Sequence, residues 1–441
     1  MKGILFLFFA FSVYASNFPS FQSGQYKVVF PDFKKATYSI LYDASVKNVV
    51  AISDIELELI EDGAIAFDSV QVPSSIKVDG RDVDSVEIST PDSQTKIRIV
   101  KGTFSKGLHR LKMSTSITSL VNFTSGGVKS AFWTSDLDER NFLERYLPAS
   151  FEYDQVEMVF NIQFKNFEKK QVIYTNGEVK ELSPTEFQIK YPSYFNVSSV
   201  FYHTVPKGET EGIEFDVKSI DGRVIPVTIY ASVKFFGSAN FAKLKTKLIN
   251  VFQELESDYG AFPHPKIIIY NAGSGGMEYC GATMTDSGAL EHEIFHSYFA
   301  RGFMPANGNA GWLDEALASW RDSSYPRRES LTGSSQMSSH GVYARITDDA
   351  AYSFGRNFMG YMDFKLSSKG GLKPFMRLLM DKHVFQPMTI DEFIRLMETF
   401  YQTPLRSEFK KYTFSQSVEI FSKSGHKIHR KMSLQELENY L

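Results

Sequence analysis

The residues that decide the fold run from Leu290 to Trp320 and read LEHEIFHSYFARGFMPANGNAGWLDEALASW. Apolar residues recur at helical spacing at both ends of this stretch, which predicts two helices joined by a turn-rich link. His292 and His296 stand four positions apart in the first helix, so both imidazoles lie on one face, one turn apart. This arrangement predicts that the two imidazoles bind one zinc ion, with Glu293 beside them as the general base for a water molecule.

The second helix supplies a third candidate ligand. Eighteen residues separate His296 from Glu315, which lies among apolar residues that we expect to be buried. A buried carboxylate needs a partner, and a zinc ion would provide one. Two histidines and one glutamate, with water as the fourth ligand, form an open catalytic zinc site rather than a closed structural one. We therefore predict one zinc ion per chain, held by His292, His296 and Glu315. The alternative is a helix pair with a solvated Glu315 and histidines without a metal.

The regions on either side of this stretch differ in their periodicity. Upstream, alternating segments such as Ile55–Ile60, separated by turn signals, predict an antiparallel β-domain over residues 16–218. After a strand at 224–233 the spacing becomes helical, which predicts a second domain over 219–441 that begins as mixed α/β and becomes mainly helical. Its predicted elements are helices at 239–259, 289–302, 312–323, 351–368 and 389–400, and an apolar strand at 267–270. The polar stretch 323–350 is predicted to be a loop that borders the site.

Composition excludes several classes of protein. The chain has 441 residues, a formal net charge of −3 and 43% hydrophobic residues, which is typical of a globular multidomain protein. The weak net charge makes nucleic acid an unsuitable main partner. A single cysteine excludes an internal disulfide and any zinc site built from several thiolates. The oligomeric state is not determined by the sequence.

The first fifteen residues are typical of a secretory signal peptide. Lys2 precedes an apolar run from Gly3 to Val13, and a small residue, Ala15, follows. The run is shorter than the ~20 apolar residues that a membrane-spanning helix needs. We therefore expect residues 1–15 to be removed and the protein to be secreted or periplasmic, with no membrane span. The alternative is that these residues form a buried first strand.

At this point the chain resembles a known family. HExxH, eighteen residues and a glutamate within Trp312-Leu313-Asp314-Glu315-Ala316 are similar to the aminopeptidase N family of gluzincin zinc metallopeptidases, peptidase family M-one. Gly275-Gly276-Met277-Glu278-Tyr279 is similar to the family's Gly-x-Met-Glu-Asn sequence. Residues 259–266 are similar to the Gly-x-Pro-Tyr-Pro-x-Pro-Lys sequence that precedes it in the family. The stretch 147–154 resembles its N-terminal-domain signature. The resemblance implies an α+β multidomain fold, with an N-terminal antiparallel β-domain followed by a thermolysin-like catalytic domain and a short helical C-terminal part.

The resemblance also implies residues that bind substrate. The Glu278 carboxylate would bind the free α-ammonium of a peptide, which is reasonable because a buried ammonium without a counter-ion is costly. Gly275, Gly276 and Met277 would lie along the substrate backbone, where glycine permits close approach. Tyr279 departs from the family's asparagine, and the sequence here also partly resembles the Gly-Gly-x-Glu-His of glycyl-aminopeptidases. The alternative for Glu278 is an exposed glutamate on a strand.

A tyrosine that stabilises the oxyanion is a further implied feature. The family uses Tyr-x-Lys-Gly at the start of a later helix, and Tyr352-Ser353-Phe354-Gly355 fits this position, with Phe354 in place of the lysine. A phenol donor facing the oxyanion is the physical requirement. Tyr343 is the rival, and simple core packing is the third possibility. Cys280 is predicted to be a small packing residue.

These features predict a zinc-dependent aminopeptidase that removes N-terminal residues from peptides. The first alternative is a gluzincin endopeptidase with an open cleft, because only roughly 125 residues follow Glu315, too few for a large helical domain that closes the cleft. A glycyl-aminopeptidase-like enzyme is a second alternative. The third is a binding protein that keeps the peptide cleft without zinc.

Overall fold

The computed structural model describes residues 18–92, 95–132, 142–151, 154–234, 240–306, 308–344, 347–414, 417–421 and 427–431. The predicted signal peptide at 1–15 and residues 152–153 of the N-terminal-domain signature lie outside these ranges. Among the described residues, no helix is long and apolar enough to cross a membrane.

The first part of the chain consists almost entirely of strands. They are β1 (Phe21–Ser23), β2 (Tyr26–Val29), β3 (Asp32–Asp43), β4 (Asn48–Leu59), β5 (Ala64–Phe67), β6 (Ser75–Val78), β7 (Arg81–Asp82), β8 (Ser85–Ser89), β9 (Lys96–Val100), β10 (Gly107–Ser116), β11 (Asn122–Thr124), β12 (Gly127–Ala131), β13 (Glu157–Lys165), β14 (Gln171–Thr175), β15 (Glu178–Ser183), β16 (Glu186–Lys190) and β17 (Tyr202–Pro206).

These strands form three sheets. The largest has eight strands in the order β15-β16-β13-β3-β4-β10-β6-β7, and the others have the orders β1-β2-β5-β9-β8 and β11-β12-β17-β14. Buried and exposed residues alternate along β4 and along much of β3, as expected for strands with one face toward a core. Most pairs are antiparallel, as predicted; within the described residues of these three sheets the exceptions are β2 with β5 and β3 with β13, which run parallel.

The second part of the chain contains the remaining strands and the α-helices. The strands are β18 (Thr210–Lys218), β19 (Val224–Ser232), β20 (Ile267–Asn271), β21 (Gly276–Tyr279), β22 (Ala282–Thr285), β23 (Met304–Pro305), β24 (Pro387–Met388), β25 (Ser417–Phe421) and β26 (Lys427–Lys431). The helices are α1 (Phe241–Tyr259), α2 (Leu290–His296), α3 (Leu313–Asp322), α4 (Arg356–Lys365), α5 (Lys373–Lys382), α6 (Ile390–Tyr401) and α7 (Arg406–Thr413).

A five-stranded sheet organises this second domain. Its order is β18-β19-β20-β22-β21, with parallel pairing from β19 through β20 to β22 and antiparallel strands at both edges. One hydrophobic cluster joins the sheet residues Ile229 and Ile269 to Leu248 of α1, Phe295 of α2 and Leu317 of α3. The sheet therefore supports the helices that bear the predicted metal ligands, and β21 forms its edge next to them.

Two predicted boundaries change in the structure. β18 pairs with β19 over its whole length, because the turn at 219–223 joins them as a hairpin. A domain boundary drawn by sheet pairing therefore falls before Thr210, ahead of the predicted boundary at residue 218. The helix predicted over 289–302 is shorter: α2 ends at His296, and the next backbone hydrogen bonds, from Ser297 to Ile294 and from Tyr298 to Phe295, tighten the chain into a turn.

Candidate active site

Helices α2 and α3 bring the three predicted metal ligands together. The Nε2 atoms of His292 and His296 lie 3.0 Å apart. One carboxylate oxygen of Glu315 lies 3.1 Å from Nε2 of His292, and the other lies 3.4 Å from Nε2 of His296. The ligand atoms of all three residues lie within 4.8 Å of one another. Spacings of i, i+4 on one helix and a glutamate on the next helix thus produce the convergence that the sequence predicts.

The hydrogen bonds of the two Nδ1 atoms, which face away from Glu315, determine whether each Nε2 atom carries a hydrogen or a lone pair. Nδ1 of His292 lies 2.6 Å from a carboxylate oxygen of Asp322, and Nδ1 of His296 lies 3.2 Å from the carbonyl oxygen of Phe299. Because both partners are acceptors, each Nδ1 carries the hydrogen and donates it outward. In its neutral form, with the hydrogen on Nδ1, each imidazole would offer its Nε2 lone pair to a cation held beside the Glu315 carboxylate. Two lone pairs and a negative charge converge on one point, and this donor set fits zinc.

The electrostatics of the site favour a cation. Burial and the neighbouring His296 lower the pKa of His292, but the hydrogen bonds to Asp322 and Glu315 outweigh them and raise it to about 9. Burial acts against the ionised form of Glu315, yet the two histidines hold its pKa well below the usual range. The carboxylates around the imidazoles therefore stabilise positive charge between them.

Glu293 lies beside this centre with a carboxylate that is almost fully buried. Its Oε2 atom has no hydrogen-bond partner among the described residues. The pKa of Glu293 is raised to about 8. Burial is the main cause, the charge of Glu278 adds to it, and the nearby His296 acts in the opposite direction. A carboxylate of this kind exchanges a proton near neutral pH, which suits a general base.

One cavity of about 750 Å³ contains most of the predicted site residues. Its lining residues are Gly275, Gly276, Met277, Glu278, Met284, Asp286, Gly288, Ala289, His292, Glu293, Glu315, Asp322 and Tyr352. His296 is buried beneath this surface, since its side chain is 1% exposed. The structure thus brings all nine predicted catalytic, substrate-binding and metal-binding residues to one place.

The edge strand β21 forms one wall of the cavity. A Cβ atom at Gly276 would lie 2.0 Å from Oε1 of Glu293, so the absence of a side chain at this position lets the strand approach Glu293. Gly275 has φ of +71°, a left-handed conformation that favours glycine. The position of the Glu293 side chain therefore already requires a glycine at residue 276, apart from any substrate backbone that passes there.

Glu278 is buried, which does not fit the alternative of an exposed strand glutamate. Its Oε1 atom accepts a hydrogen bond of 2.7 Å from Nη2 of Arg301, and the two side chains are 6% and 7% exposed.

The two residues after Glu278 are buried packing residues. Tyr279 packs against Phe201, with ring centroids 5.3 Å apart. Cys280 is buried, and burial raises the pKa of its thiol to about 12, which keeps it protonated.

The two candidate tyrosines lie in different environments. Tyr352 lines the cavity from a π-helical turn at Ala351–Gly355 that leads directly into α4. Tyr343 instead donates its hydroxyl hydrogen to the carbonyl oxygen of Pro19 at 2.6 Å and stacks on Phe30. Of the two, the position of Tyr352 is the one compatible with an oxyanion donor.

Two charged residues that form hydrogen bonds with the predicted site residues were not predicted from the sequence. Asp322 follows Glu315 by seven residues, two helical turns along α3, so a search for a carboxylate on the same helix face could have found it. Arg301 gives no such signal, because it meets Glu278 only through the turn that ends α2.

Comparisons with known proteins show the same fold. No protein-family model matches the chain, and no curated protein matches it in sequence. Its structure is similar to that of an M1 zinc metallopeptidase from Deinococcus radiodurans, with a TM-score of 0.64 and 12% identity, covering 88% of this chain and 95% of that one. It is also similar to Legionella pneumophila aminopeptidase A in complex with aspartic acid, with a TM-score of 0.63 and 14% identity over 91% of this chain and 52% of that one. Yeast LTA4 hydrolase in complex with bestatin gives a TM-score of 0.62 at 12% identity, covering 91% of this chain and 70% of that one. The predicted α+β multidomain fold is confirmed.

Proposed function

We propose that this protein is a zinc-dependent aminopeptidase that binds one zinc ion per chain through His292, His296 and Glu315. The observation that carries the proposal is the convergence of two Nε2 atoms and a carboxylate on one point, next to the buried carboxylate of Glu293. The structural neighbours support the same reaction class, since a variant of the D. radiodurans M1 zinc metallopeptidase has been solved with a Tyr-Ser-Ala substrate.

Three residues of the cavity besides the zinc ligands have roles in the proposed reaction. Zinc bound at this centre would polarise the scissile carbonyl and make a water molecule more acidic. Glu293 takes a proton from the attacking water and delivers it to the nitrogen of the leaving amine. The Tyr352 hydroxyl donates to the oxygen that becomes negative, and the Glu278 carboxylate accepts hydrogen bonds from the α-ammonium of the substrate.

The edge strand β21 positions the peptide backbone. Its outer edge is unpaired in the five-stranded sheet, because β21 is the last strand in the order. An extended peptide can add to such an edge through main-chain hydrogen bonds. This would place the first peptide bond over Glu293, with Gly275, Gly276 and Met277 along the substrate.

Zinc content and peptidase activity test the proposal together. We expect about one zinc per chain by elemental analysis of the purified protein, and hydrolysis of a panel of amino-acid arylamides that stops on addition of a chelator. Zinc added back should restore the activity. The Glu293→Gln variant should retain zinc and lose at least ~10²-fold in kcat, the size typical of a general base. A folded protein that binds no zinc, or full activity in the Glu293 variant, would contradict the proposal.

We also propose that the protein acts outside the cytoplasm, after removal of residues 1–15. The basic residue, apolar run and small residue at the start of the chain support this proposal. N-terminal sequencing of the protein recovered from the source cells checks it: a mature chain that begins near Ser16 is expected, and an intact Met1 would contradict it.

A further inference from the structure

The carboxylate that would bind the substrate's amino group already has a positively charged partner within the protein. Nη2 of Arg301 donates to Oε1 of Glu278 at 2.7 Å, and both residues are buried, at 6% and 4% exposure. An arginine side chain keeps its charge in proteins. A peptide α-ammonium that enters the cavity therefore meets a neutralised ion pair rather than a bare carboxylate.

Arg301 is held in place from the opposite side, so it cannot easily withdraw when a substrate arrives. Its Nη1 atom donates to the Ser198 hydroxyl at 2.5 Å, across the junction between the two domains. Ser198 in turn donates to the side-chain oxygen of Asn196 at 2.9 Å. The backbone N–H of Arg301 donates to the carbonyl oxygen of His296, which fixes the turn after α2. The guanidinium is thus a fixed component of the site.

Two positive charges sharing one carboxylate repel each other. The Arg301 guanidinium occupies Oε1 of Glu278, so an ammonium bound at the other oxygen would lie close to it. A like charge in a largely buried site disfavours a second one. A neutral amide nitrogen in the same place does not experience this repulsion, yet it can still donate a hydrogen bond to the other oxygen of Glu278. The advantage of a charged amino terminus over a blocked one is therefore reduced.

We propose that Arg301 determines the selectivity of this site between free and blocked amino termini, by weakening the binding of the α-ammonium to Glu278. The protein would accordingly cleave peptides with an acylated amino terminus as well as those with a free one. Arg301 acts through Glu278 and is a positioning and specificity-determining residue. This inference rests on the proposed aminopeptidase function and on Glu278 as the amine anchor.

The test compares matched substrates. The best arylamide of the panel and its N-acetylated form differ only in the ammonium group, so the ratio of their kcat/KM values measures selectivity. In the wild-type protein we expect this ratio to be below about tenfold, a small discrimination in binding terms. A wild-type ratio of about 10³ or more would overturn the inference without any variant.

Variants of Arg301 assign the effect to its charge. Arg301→Met and Arg301→Gln should raise the selectivity ratio by about tenfold, mainly through a lower KM for the free amine. Arg301→Lys keeps the charge and should retain the wild-type ratio. Ser198→Ala is the matched control, since it removes one contact of Arg301 and leaves the charge. A merely structural role would lower both kcat/KM values equally, and an unchanged or lower ratio in the folded Met and Gln variants would overturn the inference.

A binding measurement separates this inference from the proposed function. In the Glu293→Gln background, calorimetry with a dipeptide and its N-acetylated form reports affinity without turnover. The Arg301→Met change should strengthen binding of the free form selectively. A wild-type protein that cleaves neither arylamide shows failure of the proposed function, whereas cleavage with unchanged selectivity in the variants shows failure of the Arg301 inference alone.

Discussion

Asp322 is the residue that fixes the orientation of His292. Its carboxylate lies 2.6 Å from Nδ1 of that imidazole, on the side away from Glu315 and the proposed zinc ion. Such outer partners hold the tautomer and the ring orientation of a metal ligand, and their loss typically costs 10–100-fold in metal affinity. We expect Asp322→Asn to weaken zinc binding by roughly that factor, measured by competition with a chromophoric chelator.

The matched control for this change is Glu329→Gln, at an exposed position in the loop after α3. It removes one negative charge from the same region of the chain without touching an imidazole. Equal zinc affinity in the Asp322 variant and the control would show that Asp322 does not orient His292.

Tyr352 and Tyr343 can be distinguished by removing one oxygen from each. Tyr352→Phe should lower kcat by about 10²–10³-fold, the cost of losing one oxyanion donor, with a smaller effect on KM. Tyr343→Phe should leave kcat unchanged, because its hydroxyl donates to the Pro19 carbonyl oxygen instead. Steady-state kinetics on the best arylamide measures both. The reverse pattern would make Tyr343 the donor.

At the scale of residues, spacing made the convergence of His292, His296 and Glu315 predictable and left their hydrogen-bond partners hidden. Residues four apart on a helix share a face wherever the helix lies, so His292 and His296 follow from the sequence alone. The contact of Arg301 with Glu278 depends on where α2 ends and how the next turn folds back, and periodicity does not encode either. Glu278 was therefore predicted as an amine anchor without the cation that accompanies it.

At the scale of elements, the close contact between β21 and α2 depends on Gly276. A Cβ atom there would lie 2.0 Å from Oε1 of Glu293 and 2.6 Å from Cδ of the same side chain. Gly276→Ala should therefore displace Glu293, the proposed general base, or the edge strand and lower kcat/KM by at least ~10²-fold. Thermal unfolding should change little, because Gly276 is exposed on an edge strand. Kinetics and a melting curve on the same sample check both parts.

Ser274→Ala is the control, since Ser274 is exposed on the loop that leads into β21 and the change adds no atom. Normal activity in the Gly276 variant would show that Glu293 can move without loss of function, and the role assigned to its position would be wrong.

The elements of the second domain were predictable in part: α5 and α7 were not predicted, and two further differences are instructive. Strongly amphipathic segments gave α1, α3 and α6 to within two residues at each end, because burial of one apolar face determines such helices. The predicted end of α2 was wrong. Apolar residues at helical spacing continue to Phe299, but after His296 the next two backbone N–H groups bond to carbonyl groups three residues back, which ends the α-helix. The π-helical turn before α4 has no periodicity of its own, although such turns are frequent at functional sites.

At the scale of the whole molecule, the two domains form one support for the site. Asn176 donates to the carbonyl oxygen of Cys280 at 2.8 Å, and Lys266 donates to that of Gly177 at 2.6 Å. Arg301 adds its contact with Ser198. These contacts join the β-domain to the residue before β20, to the residue after β21 and to the turn after α2. The order of the domains was predictable from the change in periodicity, but the polar junction between them was not, because it depends on tertiary placement.

Two buried histidines at this junction predict how the stability of the protein depends on pH. Nδ1 of His203 lies 2.9 Å from the Tyr230 hydroxyl, and His264 lies between the Tyr194 hydroxyl and the carbonyl oxygen of Ser297. Burial lowers the pKa of each imidazole to about 3. Both are therefore neutral in the folded protein, while in the unfolded chain they gain a proton near pH 6.5.

The sign of the effect follows from proton binding. Between about pH 6.5 and 3 the unfolded state binds more protons at these two positions than the folded state, so acidification destabilises the fold. Each histidine contributes a slope of up to about 1.4 kcal/mol per pH unit. Urea unfolding of the metal-free protein from pH 7 to pH 4.5 should show this loss, and His264→Gln should reduce the slope by about that amount, whatever its stability at pH 7. Metal-free protein is required because loss of zinc from His292 and His296 would add its own pH dependence. Identical slopes in the wild type and the variant would show that His264 gains its proton in the folded protein, and that the junction tolerates the charge.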